Sequence, residues 1–251
     1  MKIVPAFLIG LALTACATAL APSIKEGLVE FAGSQKNIFD TGKAEPTLTV
    51  ANMSESADSY GVGAVAGLDG EITVYRGKPY VTKVRGSSFT VDHGTGHGSV
   101  FAVWTTQSKW REEILPESIK GYVDLQNFVK ARATAAGIDV SKPFPFLIGG
   151  EPAEVKWHIN VDLTEGKPIT PDLFAKSKAN YLAKNQAMDI VGFYSEAHPG
   201  VFISAYAPAI KPDSGAKNAI HIHLVSRDGR LAGHVDDITL APGMRLSLPK
   251  L

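Results

Sequence analysis

The sequence has little cysteine and no excess of positive charge, and each deficit excludes a class of site or partner. Its 251 residues contain one cysteine, Cys16, so the chain cannot form an internal disulfide or supply a cluster of thiolate ligands. Any metal site must therefore use His, Asp or Glu. Lys plus Arg number 25 and Asp plus Glu also number 25, with no basic tract. We expect no nucleic-acid partner, because such proteins carry a basic surface.

The sequence also lacks an apolar run long enough to cross a membrane as a helix. The run at residues 3–13 has about 11 apolar residues, whereas a spanning helix needs about 20. It follows Met1-Lys2 and ends in Leu13-Thr14-Ala15-Cys16, which is typical of a signal peptide and resembles the lipobox of bacterial lipoproteins. We expect a signal peptide over residues 1–15, lipidation at Cys16 and a bacterial membrane anchor, with the outer membrane facing the periplasm as the expected location. An ordinary secretory signal is the alternative.

Alternating apolar and polar residues predict a chain made mostly of strands. Two helices are expected: residues 116–137, with Tyr122, Leu125, Phe128 and Val129 on one face, and residues 170–185, opened by Thr170-Pro171. The predicted strands cover residues 62–68, 72–75, 79–84, 100–105, 144–148, 154–161, 190–195, 201–206, 219–226, 231–240 and 245–248. This pattern indicates an α+β fold of mixed or antiparallel β-sheets with few helices. We expect a tether and N-terminal segment over residues 16–58, then one α+β domain over 59–251 with two packed sheet regions, about 59–140 and 141–251.

The last predicted hairpin carries three histidines on one face. Asp228-Gly229 is a strong signal for a two-residue turn, and such a turn fixes the register so that His223 faces His234. His221 lies two residues before His223 and therefore projects from the same face. Each histidine alone is more often a satisfied core or surface residue. Three together predict a divalent metal site with an open coordination position, of the catalytic type, although a transport or storage site could use the same ligands.

These residues resemble the metal motif of the acetolactate decarboxylases. His221-Ile222-His223, followed after ten residues by His234, is similar to the family's HxH and GGHV segments, with Ala232 in place of the first glycine. Shorter matches occur in the same order along the chain. They are Leu68-Asp69-Gly70-Glu71, Phe101-Ala102-Val103, Lys184-Asn185-Gln186 and Val191-Gly192-Phe193.

The resemblance implies a zinc lyase that converts 2-acetolactate, a 2-hydroxy-3-oxo acid, to acetoin and carbon dioxide. Zinc (Zn2+) would be held by His221, His223 and His234, and Glu71 would protonate the carbanion or orient water. Taken alone, Glu71 is more often an exposed residue beside a turn. The implied partner is a small hydroxy-keto acid, and a homodimer is a further hypothesis.

The sequence departs from the family where the substrate carboxylate is bound. The family has an arginine there, whereas the aligned segment reads Lys156-Trp157-His158-Ile159, so His158 or Lys156 is the candidate replacement. The family's C-terminal segment, which carries a further glutamate, has no counterpart before Leu251. A lipoprotein that binds a metal or small ligand without catalysis is therefore the alternative function.

Overall fold

The computed structural model describes residues 27–198 and 218–250. Within these ranges the chain forms two β-sheets, here called sheet A and sheet B, and three α-helices. Every strand pairing in both sheets is antiparallel, which confirms the predicted fold class. The predicted strand at residues 201–206, the predicted signal peptide and Cys16 lie outside the described residues.

Sheet A has seven strands, and its middle is a meander of hairpins. In space the order is β1-β7-β3-β4-β5-β6, and β2 also pairs with β7. The strands in chain order are β1 (Val29–Ala32), β2 (Leu48–Thr49), β3 (Ser59–Val65), β4 (Glu71–Tyr75), β5 (Lys78–Arg85), β6 (Ser88–Asp92) and β7 (Gly98–Thr106). Sequence patterning identified β3, β4, β5 and β7 but not β1, β2 or β6.

Sheet B has nine strands and contains the histidine hairpin near its centre. The strands are β8 (Trp110–Ile114), β9 (Ile119–Lys120), β10 (Phe144–Gly150), β11 (Glu154–Asn160), β12 (Lys178–Ala183), β13 (Met188–Tyr194), β14 (Ile220–Ser226), β15 (Ala232–Leu240) and β16 (Arg245–Pro249). In space their order is β12-β11-β15-β14-β13-β10-β16-β8, and β9 pairs with β15. Because β8 and β9 precede residue 140, the first half of the chain contributes to both sheets.

The two sheets pack face to face through apolar side chains. Sheet A contributes Val62 and Val103, and sheet B contributes Leu147, Val191 and Phe193. Alternation along each strand directs these residues to the same side. Full burial of each such side chain is worth about 1.5–3 kcal/mol, so this layer holds the sheets together. The candidate site is a polar interruption in it.

Helix α2 (Tyr122–Ala135) covers the other face of sheet B. Between the helix and sheet B lies an apolar core, in which Leu125, Val129 and Ala133 are buried. Tyr122 and Phe128 pack at its edge, as the spacing predicts. Gly137 follows the helix with a φ of 82°, which suits a C-terminal stop. The predicted start at residue 116 is wrong. Residues 119–120 instead form β9, and Gly121 precedes the helix with a φ of 87°, outside helical geometry.

The second predicted helix is much shorter than expected. Helix α3 (Pro171–Lys176) begins as predicted, because the Thr170 side chain accepts a hydrogen bond from the Leu173 N–H at 3.2 Å. Its predicted extension to residue 185 is wrong, since residues 178–183 form β12 and pair with β11. Tyr181 stacks on Trp157 with ring centroids 4.6 Å apart, so tertiary contacts override the helical pattern.

A further helix, α1 (Gln35–Thr41), precedes sheet A's second strand. Ser34 caps it by accepting a hydrogen bond from the Asn37 N–H at 3.3 Å, and Gly42 ends it with a φ of 69°. Among the described residues, no helix is long and apolar enough to cross a membrane.

Candidate metal centre

The hairpin formed by β14 and β15 has the register that the turn predicts. Asp228-Gly229 lies at its tip, and Gly229 has a φ of 71°, a conformation that glycine adopts without steric cost. His223 pairs directly with His234. The predicted register is therefore confirmed, and it brings the histidines of two strands to one face of sheet B.

Gly233 allows strand β11 to lie close beside His234. A Cβ atom at position 233 would stand 2.7 Å from the His158 carbonyl oxygen and 2.8 Å from the Trp157 ring. Any side chain there would push β11 away, because these distances are shorter than van der Waals contact. With glycine at 233, the rings of His158 and His234 have centroids 4.7 Å apart.

Three imidazole nitrogens converge on the inner face of the hairpin. His221 Nε2 lies 3.1 Å from His234 Nδ1 and 3.2 Å from His223 Nε2. The ligand atoms of all three side chains lie within 4.8 Å of one another. Nitrogens held by one tetrahedral zinc at about 2.0–2.1 Å would be about 3.3 Å apart, so the spacing fits such an ion.

Burial keeps the three imidazoles neutral. It lowers the pKa of His221 to about 3 and lowers the pKa of His223 and of His234 well below the ordinary value, with neighbouring imidazoles adding to the effect. Neutral imidazole is the form that binds metals. His221 and His223 are buried, while His234 is partly exposed, so the site is open on the His234 side.

The donor chemistry of this cluster also fits a cation. His221 Nε2 is within hydrogen-bonding distance of two other ring nitrogens, but one N–H group can donate to only one of them at a time. A ring nitrogen has either one hydrogen to donate or one lone pair to accept with, so only one of the two contacts is a good hydrogen bond in the neutral state. A divalent ion between the three nitrogens would accept all three lone pairs, so the residues present fit a metal.

Sheet A places two polar side chains against the cluster. Glu71 is the first residue of β4 and is 3 % exposed, with Oε2 3.8 Å from His223 Nε2. Burial raises the pKa of Glu71 well above its ordinary value, although the charge of Lys178 opposes this. Thr73 Oγ1 lies 3.1 Å from His223 Nδ1. A hydrogen bond there would fix the ring so that Nε2 faces the cluster.

Comparison with known proteins identifies the family. The family model for alpha-acetolactate decarboxylase matches residues 31–249. The chain belongs to the alpha-acetolactate decarboxylase family. No curated protein sequence matches it.

Solved structures share the fold of this acetolactate decarboxylase family member. Alpha-acetolactate decarboxylase from Bacillus subtilis strain 168 is 18 % identical, with a TM-score of 0.68 and 89 % of this chain and 86 % of that chain covered. Acetolactate decarboxylase from Bacillus subtilis subspecies spizizenii is 17 % identical, with a TM-score of 0.68 and 89 % of this chain and 86 % of that chain covered. A Staphylococcus aureus protein of unknown function, similar to alpha-acetolactate decarboxylase, is 17 % identical, with a TM-score of 0.67 and 89 % of this chain and 85 % of that chain covered. At this identity the likeness shows the fold alone.

His158, one of the two candidates to replace the family's arginine, is held by an aspartate. His158 Nδ1 lies 2.7 Å from Asp236 Oδ2, and His158 Nε2 lies 3.7 Å from Glu71 Oε1. Burial alone would raise the pKa of Asp236, but the hydrogen bond from His158 and the charge of Lys178 lower it. Asp236 is therefore ionised and accepts the Nδ1 proton, which leaves the lone pair of Nε2 facing Glu71.

A β-bulge puts Asp236 within reach of His158. Lys156 pairs with Asp237 and Trp157 pairs with Val235, so Asp236 is an extra residue without a partner on β11. An unbroken hairpin register would have placed Asp236 opposite His221. The bulge instead turns its carboxylate toward the neighbouring strand.

The structure separates the two candidates for the carboxylate-binding residue. His158 lies in the site, 4 % exposed, whereas Lys156 is mostly exposed and lies near Asp237 and Glu154. Sequence patterning missed Thr73 and Lys178. Thr73 lies two residues after Glu71 and so shares its face of the strand, a signal available in the sequence.

Proposed function

We propose that this protein is a zinc-dependent carboxy-lyase that decarboxylates a 2-hydroxy-3-oxo acid, such as 2-acetolactate, to give acetoin. The observation that carries the proposal is the convergence of three imidazole nitrogens beside Glu71, a buried carboxyl whose pKa burial raises. His221, His223 and His234 would hold the ion. Family membership and the shared fold support a lyase of this kind.

When bound, zinc would supply a Lewis acid that stabilises negative charge on the hydroxyl and keto oxygens of the substrate. The chain itself must then deliver a proton. Loss of carbon dioxide leaves the bonding electron pair on the former C2 carbon, delocalised as an enediolate. One proton added to carbon completes a neutral hydroxyketone.

Glu71 would deliver that proton. Burial raises the pKa of its carboxyl and so favours the protonated form, and Glu71 lies on the sheet A side of the three histidines. Oε1 has no hydrogen-bond partner among the described residues, so this atom can meet a ligand. His158 Nε2 lies 3.7 Å from Oε1, on the same side of the site.

The deciding experiment measures metal content and carbon dioxide release together on the full-length protein. We expect about one zinc per chain, turnover of 2-acetolactate, loss of turnover with a chelator and recovery with zinc. His223→Ala should lose both zinc and turnover, and His97→Ala, in the loop before β7, should keep both. Zinc-loaded protein without turnover of any 2-hydroxy-3-oxo acid would contradict the lyase and favour a binding lipoprotein.

A further inference from the structure

Three buried polar atoms beside the histidine cluster have no hydrogen-bond partner in the part of the chain that the structure describes. They are Glu71 Oε1, Thr82 Oγ1 and Asn160 Oδ1. Thr82 pairs with Glu71 across β4 and β5, and the Asn160 backbone donates a hydrogen bond to Glu71 that opposes the rise in its pKa caused by burial, so the three residues are neighbours. Each such atom costs about 1–3 kcal/mol if nothing satisfies it. The group is therefore suited to a polar ligand.

One lysine stands at the edge of this group. Lys178 pairs with Asn160 in the register of β11 and β12, so its side chain shares the face of Asn160 and His158. Its Nζ lies 3.5 Å from Asp236 Oδ1, and its side chain is 26 % exposed. Asp236 uses its other oxygen for His158, so one carboxylate orients both the lysine and the histidine.

The charges around this group favour an anion. Lys178 lies 3.5 Å from Asp236, so these two residues together add no net charge. A divalent ion bound by the histidines would therefore leave a net positive site. The charge of Lys178 opposes the rise that burial causes in the pKa of Glu71, which supports its closeness to the centre.

We propose that Lys178 is the specificity-determining residue that binds the carboxylate of a small 2-hydroxy acid, and that Asn160 Oδ1 accepts the hydrogen bond of its hydroxyl. An anion that also carries a hydroxyl group would neutralise the positive charge of the metal-bound site and would donate a hydrogen bond to the unpartnered Asn160 Oδ1. This inference rests on the proposed function for its ligand class. It assigns the carboxylate to Lys178 rather than to His158 or Lys156.

The test measures binding rather than turnover. Full-length, zinc-loaded protein is titrated calorimetrically with 2-hydroxy-2-methylpropanoate, which has no 3-oxo group, and with the neutral 3-hydroxy-3-methylbutan-2-one. We expect Lys178→Met to lower the affinity for the carboxylate probe at least about tenfold and the affinity for the neutral probe less than about twofold. A hydrogen bond to a charged group contributes more to binding than one between neutral groups. Lys178→Arg should restore the carboxylate affinity.

Lys176→Met is the matched control, because Lys176 is an exposed lysine two residues earlier on α3, and it should bind both probes like wild type. Asn160→Ala should reduce the preference for 2-hydroxy-2-methylpropanoate over 2,2-dimethylpropanoate. The inference is overturned if Lys178→Met leaves the affinity for the carboxylate probe unchanged or lowers the affinities for both probes equally. It is also overturned if Lys156→Met, rather than Lys178→Met, lowers the affinity for the carboxylate probe. Absence of carboxylate binding by zinc-loaded wild type would also overturn it.

The two proposals can fail separately. If wild type decarboxylates 2-acetolactate but its carboxylate affinity does not depend on Lys178, only the assignment of Lys178 is wrong. If carboxylate binding depends on Lys178 and no 2-hydroxy-3-oxo acid is turned over, only the lyase is wrong. Zinc content and melting temperature of each variant show whether the site and fold are intact.

Discussion

Asp236 Oδ2 and His158 Nδ1 lie 2.7 Å apart, although the two residues belong to strands whose pairing is interrupted at that point. The contact decides which nitrogen of His158 carries the proton. With Nδ1–H donated to the carboxylate, Nε2 carries its lone pair on the side of Glu71, whose Oε1 lies 3.7 Å away. A histidine without this partner could adopt either tautomer and other ring orientations.

Asp236→Asn is expected to lower kcat on 2-acetolactate by about tenfold or more while the zinc content is unchanged, because the amide orients His158 less firmly than a carboxylate does. Turnover and zinc content per chain are measured side by side. Asp172→Asn, at an exposed position on α3, is the control and should behave like wild type. A kcat within twofold of wild type would show that the contact does not support turnover.

Glu71→Gln should keep zinc and lower turnover by about 10²- to 10⁴-fold, the usual effect of removing a positioned proton-transfer group. The amide preserves the size of the side chain but cannot release a proton. Initial rates and metal content check the result, and Glu55→Gln, at an exposed position, is the matched control. Turnover close to wild type would exclude Glu71 as the proton donor.

The metal-free protein should lose stability as the pH falls below about 6.5, where an unfolded histidine titrates. The folded pKa of His221 is about 3, so between these values the unfolded chain binds a proton that the folded chain does not. Stability is therefore greatest above this window and lost on acidification. Between pH 8 and pH 5, His221 alone should account for about 2 kcal/mol.

Urea unfolding in the presence of a chelator, at several pH values, measures this effect. His221→Gln should lose about 2 kcal/mol less than wild type between pH 8 and pH 5. Parallel stability curves for the two proteins would mean that His221 is protonated in the folded state or accessible to water.

Cys16→Ser should release the protein from washed membranes into a soluble fraction outside the cytoplasm. The run Leu13-Thr14-Ala15-Cys16 after an apolar segment motivates this expectation. Fractionation and metabolic labelling with palmitate provide two independent measurements. Label on wild type but not on the variant would agree with lipidation, and retention of the variant in membranes would contradict an anchor at this residue.

The register of the histidine hairpin was predictable because it depends on local information. The four-residue loop 227–230, in which the Gly229 N–H donates to the Ser226 carbonyl, keeps the pairs that a two-residue turn at Asp228-Gly229 predicts, including His223 with His234. The placement of Glu71 in the site came from the family resemblance, because the sequence around an Asp-Gly turn does not show whether the glutamate that follows it faces the core or the solvent. Its burial against His223 depends on how the two sheets pack.

The missed features depend on contacts between distant segments. Residues 178–183 carry a pattern compatible with a helix, and only their pairing with β11 makes them a strand. Lys178 therefore had no predictable place near the site. A regular hairpin register would place Asp236 opposite His221, and the bulge on the neighbouring pair of strands leaves no clear signal in the sequence.

The bulge at Asp236 has a consequence for insertions and deletions in this strand. Val235 and Ile238 both belong to the core under α2, three positions apart, so β15 keeps its alternation only if Asp236 is not counted. A chain without Asp236 would have a regular strand, with every later side chain on the face that it now occupies. We therefore expect deletion of Asp236 to remove the contact with His158 while the fold is kept.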